Sequence, residues 1–407
     1  MKNNFTPVFR FVMCSDSHIE GIGTPGYERL KKTIDYSLAF AEDDEKYKGI
    51  DRFFIAGDIT NKGSKEEFDA FKELYDYGRE KGIEFLCTVA KGHDSITMGK
   101  DSLEYYKKLT GQETDFHRVI GGYHFIGIST SKMKKHFNSQ FQKMWLKKEL
   151  DKAVADTPDK PVFVLHHEHI KYTVFGSFDE DGWGKILFAD LLKKYPNVVD
   201  FSGHSHYPVN DPRSVWQKEY TAIGTGSLKY TELTVDGVQK IHPEAFEECA
   251  NFLIVEADKE HNLRVIGIDC LAERVLCEYY FKNPADKSNR EYTDEKQRSR
   301  SLAPVFPGNA EITLYGKDGF YKVDFPRAES TDGMPVFIYR TFIEDEKGRV
   351  LKERKTIPPY YLYEVKEKLS VSLGRLTTGK YKIKILAETP YGVQSEYIEK
   401  TIEVKGA

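Results

Sequence analysis

The stretch "FVMCSDSH", residues 11–18, is an apolar run that breaks into a D-x-H pair. Four apolar residues in succession suit a strand covered on both faces, as strands of parallel sheets are. The polar tail then falls at the strand's carboxyl end. The pattern recurs four times. "FFIAGDIT" (53–60) ends in Asp58, and "CTVAKGHD" (87–94) ends in His93 and Asp94. "VFVLHHEH" (162–169) carries His166, His167 and His169, and "VVDFSGHSH" (198–206) carries His204 and His206. Five strand ends thus deliver carboxylate or imidazole, and in α/β sheets that edge is where ligands bind. A lone Asp there is usually a turn former or helix cap, and a lone His is usually a hydrogen-bonded structural residue. Five such ends in one chain outweigh that bland explanation.

The donor set narrows the chemistry. Imidazole with carboxylate suits Mn²⁺, Fe²⁺ or Zn²⁺ and is too nitrogen-rich for Ca²⁺ or Mg²⁺. There are more donors than one ion needs. Two divalent transition metal ions ~3.5–4 Å apart, bridged by a carboxylate and a water, would use them.

Around these motifs the first 285 residues alternate strand and helix signals, as an α/β domain does. Leu30, Ile34 and Leu38 recur at helical spacing, and Ser64 with Glu67 forms a capping-box pattern. Asn138 is placed to cap a helix carrying Phe141, Trp145 and Leu150, and a further helix is expected over about 185–195. Residues 286–308 are polar and aperiodic and read as a linker. From 309 to 407 the runs are strands separated by turn signals such as "DEKG" and "TTGK", which predicts a β-sandwich. Its ending resembles the last strands of a fibronectin type III domain. Tyr360, Tyr361 and Tyr363 are expected in its core.

The 407 residues carry a formal net charge of −4, and 40% are hydrophobic and 30% charged. This fits a soluble globular protein of two or three domains. It argues against a nucleic-acid partner, which would favour a basic face. Five scattered cysteines, with no C-x-x-C pair, predict free thiols in a reducing compartment. No signal-peptide core and no membrane span is read, so the expected location is cytoplasmic. Oligomeric state is not legible.

The ordered motifs "DSH", "GD", "KGHD", "LHH" and "GHSH" resemble the calcineurin-like metallophosphoesterases, over about residues 8–281. They are also similar to the purple acid phosphatase and cyclic-nucleotide phosphodiesterase branch of that superfamily. The resemblance implies a four-layer α/β/β/α sandwich with a dinuclear site at one end of two facing sheets, here followed by an all-β immunoglobulin-like domain. It implies that Asp16, His18 and His206 hold one metal, that Asp58 bridges, and that His166 and His204 hold the other. His93 would contact the phosphate or protonate the leaving oxygen, with Asp94 orienting its ring. His167 and His169 would at most line the pocket.

One position departs from the family pattern. Where the family has an asparagine that supplies an oxygen to the second metal, this chain has Gly92. Either the asparagine is replaced by glycine or it is deleted. Lys91 is a candidate to reach the phosphate instead. The expected function is a metal-dependent phosphohydrolase that cleaves small phosphomonoesters or phosphodiesters with a metal-bridging hydroxide. The alternatives are a pseudoenzyme with a weakened second metal site and a nuclease of the same fold.

Overall fold

The computed structural model describes residues 5–129, 139–235 and 238–404. It divides into two compact units, Met1–Thr293 and Asp294–Ala407.

In the first unit the helices are α1 (Pro25–Asp43), α2 (Lys65–Glu80), α3 (Asp101–Thr110), α4 (Gln140–Asp156) and the short α5 (Ala189–Leu192). The strands begin with β1 (Phe9–Cys14), β2 (Arg52–Ala56), β3 (Phe85–Thr88), β4 (Phe116–Ile120), β5 (Tyr123–Ile128), β6 (Val162–His166) and β7 (Val198–Ser202). They continue with β8 (Val215–Gln217), β9 (Thr221–Gly224), a hairpin of β10 (Leu233–Val235) and β11 (Val238–Ile241), then β12 (Asn251–Ala257), β13 (Leu263–Asp269) and β14 (Arg274–Phe281).

Two six-stranded sheets form, in the orders β14-β13-β12-β1-β2-β3 and β4-β5-β6-β7-β9-β8. β1, β2 and β3 run parallel, as do β5, β6, β7 and β9. Side-chain alternation sorts each strand between two faces. Phe9, Phe11 and Met13 of β1, Phe54 of β2, Phe163 and Leu165 of β6, and Val199 and Phe201 of β7 share one buried cluster between the sheets. Their neighbours face outward. Val12, Phe53 and Ile55 pack under α1–α3, and Val162, Val164 and Val198 pack under α4 and α5. The layers are therefore α/β/β/α. The inner layer is aromatic, with the Phe11 ring 5.5, 5.2 and 5.1 Å from those of Phe54, Phe125 and Phe163.

Two helices start as their sequences dictate. Ser64 and Glu67 form a reciprocal capping box at α2, and Ser139 with Gln142 does the same at α4. The expected cap Asn138 lies outside the described residues. The helix expected over 185–195 shrinks to α5. Lys185 is taken by a backbone bridge to Ile170, its N–H donating to His169 O at 2.8 Å. The segment expected as a linker is also shorter. Arg290 is buried and donates to Thr221 Oγ1 and the Pro284 carbonyl, while Tyr292 packs on Phe281 with ring centroids 4.8 Å apart. Residues 286–293 thus belong to the first unit.

The second unit opens with α6 (Asp294–Arg300). It then builds β15 (Thr313–Lys317), β16 (Phe320–Pro326), β17 (Ile338–Glu344), β18 (Val350–Thr356), β19 (Lys368–Arg375), β20 (Gly379–Glu388) and β21 (Ile398–Val404). Antiparallel sheets β15-β16-β19 and β18-β17-β20-β21 close on one core that includes Val323, Phe325, Tyr339, Ile383 and Ile385. This three-on-four β-sandwich matches the sequence expectation. Tyr360 and Tyr361 are buried, but Tyr363 is exposed.

Phe11 is fully buried at the centre of the inner layer. Phe11→Ala is expected to destabilise the first unit by about 3–5 kcal/mol, whereas Phe141→Ala, on an exposed face of α4, should change it by less than about 0.5 kcal/mol. All three tryptophans lie in this unit (Trp145, Trp183 and Trp216). Urea denaturation followed by tryptophan fluorescence checks the difference.

Candidate metal centre

The loops after β1, β2, β3, β6 and β7 leave the same edge of the two sheets, because these strands run parallel within each sheet. Backbone bonds tie them together. Asp16 N–H donates to Gly57 O at 3.1 Å, His18 N–H to Asp58 O at 3.0 Å, and Gly203 N–H to His167 O at 2.9 Å. Two further bonds cross from sheet to sheet. His204 N–H donates to Asp16 Oδ2 at 3.0 Å, and His167 Nδ1–H donates to Ala56 O at 2.9 Å.

The backbone turns sharply at each of these places. Asp16, His18, Asp58, His204 and His206 all have positive φ, between 45° and 73°. Such left-handed positions are uncommon away from glycine, although Asp and His tolerate them better than most residues. Turning the chain here, rather than continuing the strand, brings both members of D-x-H and of H-x-H to the same side. Two glycines make room. A Cβ on Gly57 (φ 83°) would lie 2.7 Å from His167 Nδ1, and one on Gly203 would lie 2.5 Å from Asp16 Oδ2.

Three overlapping triads result: Asp16, His18 and His206; His18, Asp58 and His93; and Asp58, His167 and His204. Within each, one ligand atom per residue lies within 4.8 Å of the others. Asp16 Oδ1 is 3.2 Å from His206 Nε2, and Asp58 Oδ2 is 3.2 Å from His167 Nε2. Asp58 belongs to the second and third triads and lies 3.8 Å from His18 Nε2, a member of the first and second.

These residues fit divalent cations on their own chemistry. Asp16 Oδ1, Asp58 Oδ1, both ring nitrogens of His18 and Nδ1 of His206 are buried without a hydrogen-bond partner, a costly state for polar atoms. His167 spends its Nδ1–H on Ala56 O, so Nε2 carries the lone pair. That lone pair faces Asp58 Oδ2 at 3.2 Å, acceptor against acceptor unless a cation or proton lies between, and lies 3.0 Å from His204 Nδ1, which in one tautomer donates to it. Burial pushes the His167 pKa down, but the Asp58 and Asp16 carboxylates hold it well above the usual range. Burial likewise raises the Asp16 carboxyl, yet the facing His206 and His167 rings hold it well below the usual range. Burial lowers His18 to about 4, and burial followed by the charge of His167 pushes His204 well down.

Three expectations change. His167, not His166, stands in the cluster. Phe163 and Leu165 face the inner core and Val162 and Val164 the outer one, so alternation sends His166 outward. There its Nε2–H donates to Asp200 Oδ1 at 2.8 Å. That alternation was the signal available in "VFVLHH". Asp94 does not orient His93. Its Oδ1 accepts from Thr60 N–H and Oγ1–H at 2.7 and 2.9 Å, and its Oδ2 from Ala90 N–H at 2.9 Å. It therefore ties the β2 loop to the β3 loop. Burial first, and the Asp58 charge second, raise its pKa to about 7. His93 instead donates from Nδ1 to Asn61 O at 2.6 Å, and its ring meets that of His18 edge-on at 4.3 Å. His169 is buried behind the cluster, bonded to Ser202 Oγ and Ser205 Oγ at 2.8 and 2.7 Å, and so braces the H-x-H turn.

Gly92 is the position at which the resemblance leads one to expect an asparagine. Its φ is −62°, and an added Cβ would meet only Asp58 Oδ1, at 3.6 Å. A side chain at 92 would point at the Asp58 carboxylate, which two of the triads share.

Asp94→Ala would leave the Thr60 and Ala90 donors buried without an acceptor. It should lower the stability of the first unit by about 1–3 kcal/mol or more, seen as a lower urea midpoint in tryptophan fluorescence. An unchanged midpoint would show that Asp94 does not hold the two loops together.

A family model described as calcineurin-like phosphoesterase matches residues 9–208. The chain is 30% identical over 206 residues to a protein described as "Probable glycerophosphodiester phosphodiesterase GpdQ" from Arcobacter nitrofigilis. The match spans 48% of this chain and 71% of that protein. Similar solved structures include GAP50, the anchor in the inner membrane complex of Plasmodium. It is 18% identical, with 69% of this chain and 92% of that one covered, at a TM-score of 0.46. Another is the purple acid phosphatase PPD1 from yellow lupin, Lupinus luteus, 14% identical over 68% of this chain and 54% of that one, at a TM-score of 0.45. Among the described residues no helix is long and apolar enough to cross a membrane. The chain belongs to the calcineurin-like phosphoesterases.

Proposed function

We propose that the protein is a metal-dependent phosphohydrolase acting on small phosphate esters, with a diester as the first substrate class to try. The observation that carries this is the set of buried, unpartnered donor atoms on Asp16, His18, Asp58 and His206 at one sheet edge. The similarity to a probable glycerophosphodiester phosphodiesterase supports the diester. Asp16, His18 and His206 would hold one divalent transition metal ion, His167 and His204 the other, and Asp58 would serve both. When bound, such ions supply positive charge for phosphoryl oxygens and acidify water.

The chain's own residues do the rest. Asp16 and Asp58 stay ionised because imidazoles face them, so they present negative charge to the cations at neutral pH. The Ala56 carbonyl fixes the His167 tautomer and leaves Nε2 free to bind, an outer contact of the kind that tunes ligands. His93, held by the Asn61 carbonyl, keeps Nε2 as the atom able to give or take a proton at the ester oxygen.

Purified protein incubated with Mn²⁺ and desalted should retain two ions per chain by elemental analysis. It should also hydrolyse bis(p-nitrophenyl) phosphate. His167→Ala should reduce the metal to about one ion. His166→Gln should leave metal content intact and lower thermal stability by weakening the bond to Asp200. The reverse outcome would return the ligand role to His166. A chain that keeps two ions yet cleaves neither mono- nor diesters would be a metal-binding scaffold.

Gly92→Asn should tighten the weaker of two Mn²⁺ binding steps by about 10–100-fold, the usual effect of one well-oriented ligand or outer partner. Calorimetric titration checks this. An unchanged second step would show that position 92 does not limit metal affinity.

A further inference from the structure

The loss of the asparagine at Gly92 removes a polar group from the substrate side of the centre, and Lys91 is the nearest basic residue in sequence. The structure points elsewhere. Among the described residues the Lys91 amine makes no hydrogen bond or ion pair. Lys229, far away in sequence, is fixed. Its Nζ donates to Asn61 Oδ1 at 2.7 Å, and the carbonyl of the same Asn61 accepts the Nδ1–H of His93 at 2.6 Å. One residue, three positions beyond Asp58, thus positions both the imidazole and the ammonium.

The segment carrying Lys229 is itself clamped against the centre. Leu228 N–H donates to Ser15 O at 3.2 Å, and the Arg29 guanidinium donates to the carbonyls of Leu228 and Lys229. The ring of the next residue, Tyr230, lies 4.5 Å from that of His206. Burial lowers the Lys229 pKa, against the opposing charges of Glu20, Asp58, Glu67 and Asp16. The Glu20 carboxylate is 4.0 Å away and half exposed. A partly buried ammonium held by the same Asn61 that holds the His93 imidazole, on a segment whose next residue packs on the ligand His206, is suited to a phosphoryl oxygen.

We propose that Lys229 is a substrate-binding residue whose ammonium, positioned by Asn61 alongside His93, hydrogen-bonds a non-bridging phosphoryl oxygen and supplies the contact that Gly92 lacks. This role rests on the phosphohydrolase function proposed above, and inorganic phosphate tests it without requiring turnover.

The experiment measures phosphate binding to the Mn²⁺-loaded full chain by calorimetry, with metal content determined for every variant. Lys229→Met should weaken phosphate by about 10–100-fold, as loss of a charge-assisted hydrogen bond does, with metal content unchanged. Lys229→Arg should recover most of the affinity, and Lys91→Met should bind like the parent. Asn61→Ala, which keeps the backbone carbonyl for His93 but releases the ammonium, should weaken phosphate several-fold and decides the matter if Lys229→Met does not fold. Phosphate affinity within twofold of the parent in Lys229→Met, or in Asn61→Ala where that variant decides, overturns the proposal, as does loss of metal together with phosphate. A parent chain that binds no phosphate overturns both the proposal and the hydrolase function. Weakened phosphate binding in a chain that hydrolyses no ester upholds the role of Lys229 and overturns the hydrolase function alone.

Discussion

Two carboxylates, Asp16 and Asp58, are buried at the end of a two-sheet core, and nearly everything around them serves to make that burial tolerable. An isolated buried carboxylate would take up a proton. Here His18, His206, His167 and His204 crowd the two acids, and the balance keeps Asp16 and Asp58 charged. The same crowding leaves imidazole nitrogens facing acceptors. A cation inside the cluster would meet those nitrogens and both carboxylates at once.

The fold supplies this arrangement through strand direction. Because β1, β2 and β3 are parallel neighbours in one sheet, and β6 and β7 in the other, five loops open at one edge. The inner aromatic layer sets how far apart those edges stand. The bonds from His204 N–H to Asp16 and from His167 Nδ1–H to Ala56 then span the gap. Each joins the loop after β6 or β7 to the end of β2 or the loop after β1 in the facing sheet. The geometry of the centre therefore depends on the packing of Phe11, Phe54, Phe125 and Phe163 beneath it as much as on the ligands themselves.

How much of this could be read beforehand follows from what each signal depends on. Buried parallel strands are continuous apolar runs, so β1, β2, β3, β6 and β7 were legible, and the polar residues ending them marked the site. The capping box at Ser64 was legible because it is a local hydrogen-bond pattern. The choice between His166 and His167 is legible in the alternation along β6, which the motif resemblance does not use. The partner of Asp94 was not decidable, since Thr60 lies 34 residues away and meets it only once β2 and β3 pair. Lys229 carried no motif at all. Its position comes from a loop clamped by Arg29 and Ser15, contacts of long sequence separation that no local pattern encodes. The helix expected over 185–195 failed for the same reason, since its first residue is drawn into a bridge with Ile170.

The backbone at the centre supports a site that is held for use. Five non-glycine residues there adopt left-handed φ, a conformation that costs most L-residues about 1–2 kcal/mol each and Asp and His less. Such strain persists only where the surroundings over-determine it, as the ladder of bonds between the β1, β2, β6 and β7 loops does here. A scaffold with no ligand for these groups would gain stability by relaxing any one of them. A cation that binds the folded cluster and not the open chain offsets the strain by mass action. Relaxing the turn at Asp16, His18, Asp58, His204 or His206 would swing a donor out of its triad. The strained backbone and the buried unpartnered donors are therefore two aspects of one structure, in which the loops are shaped by what they are meant to hold.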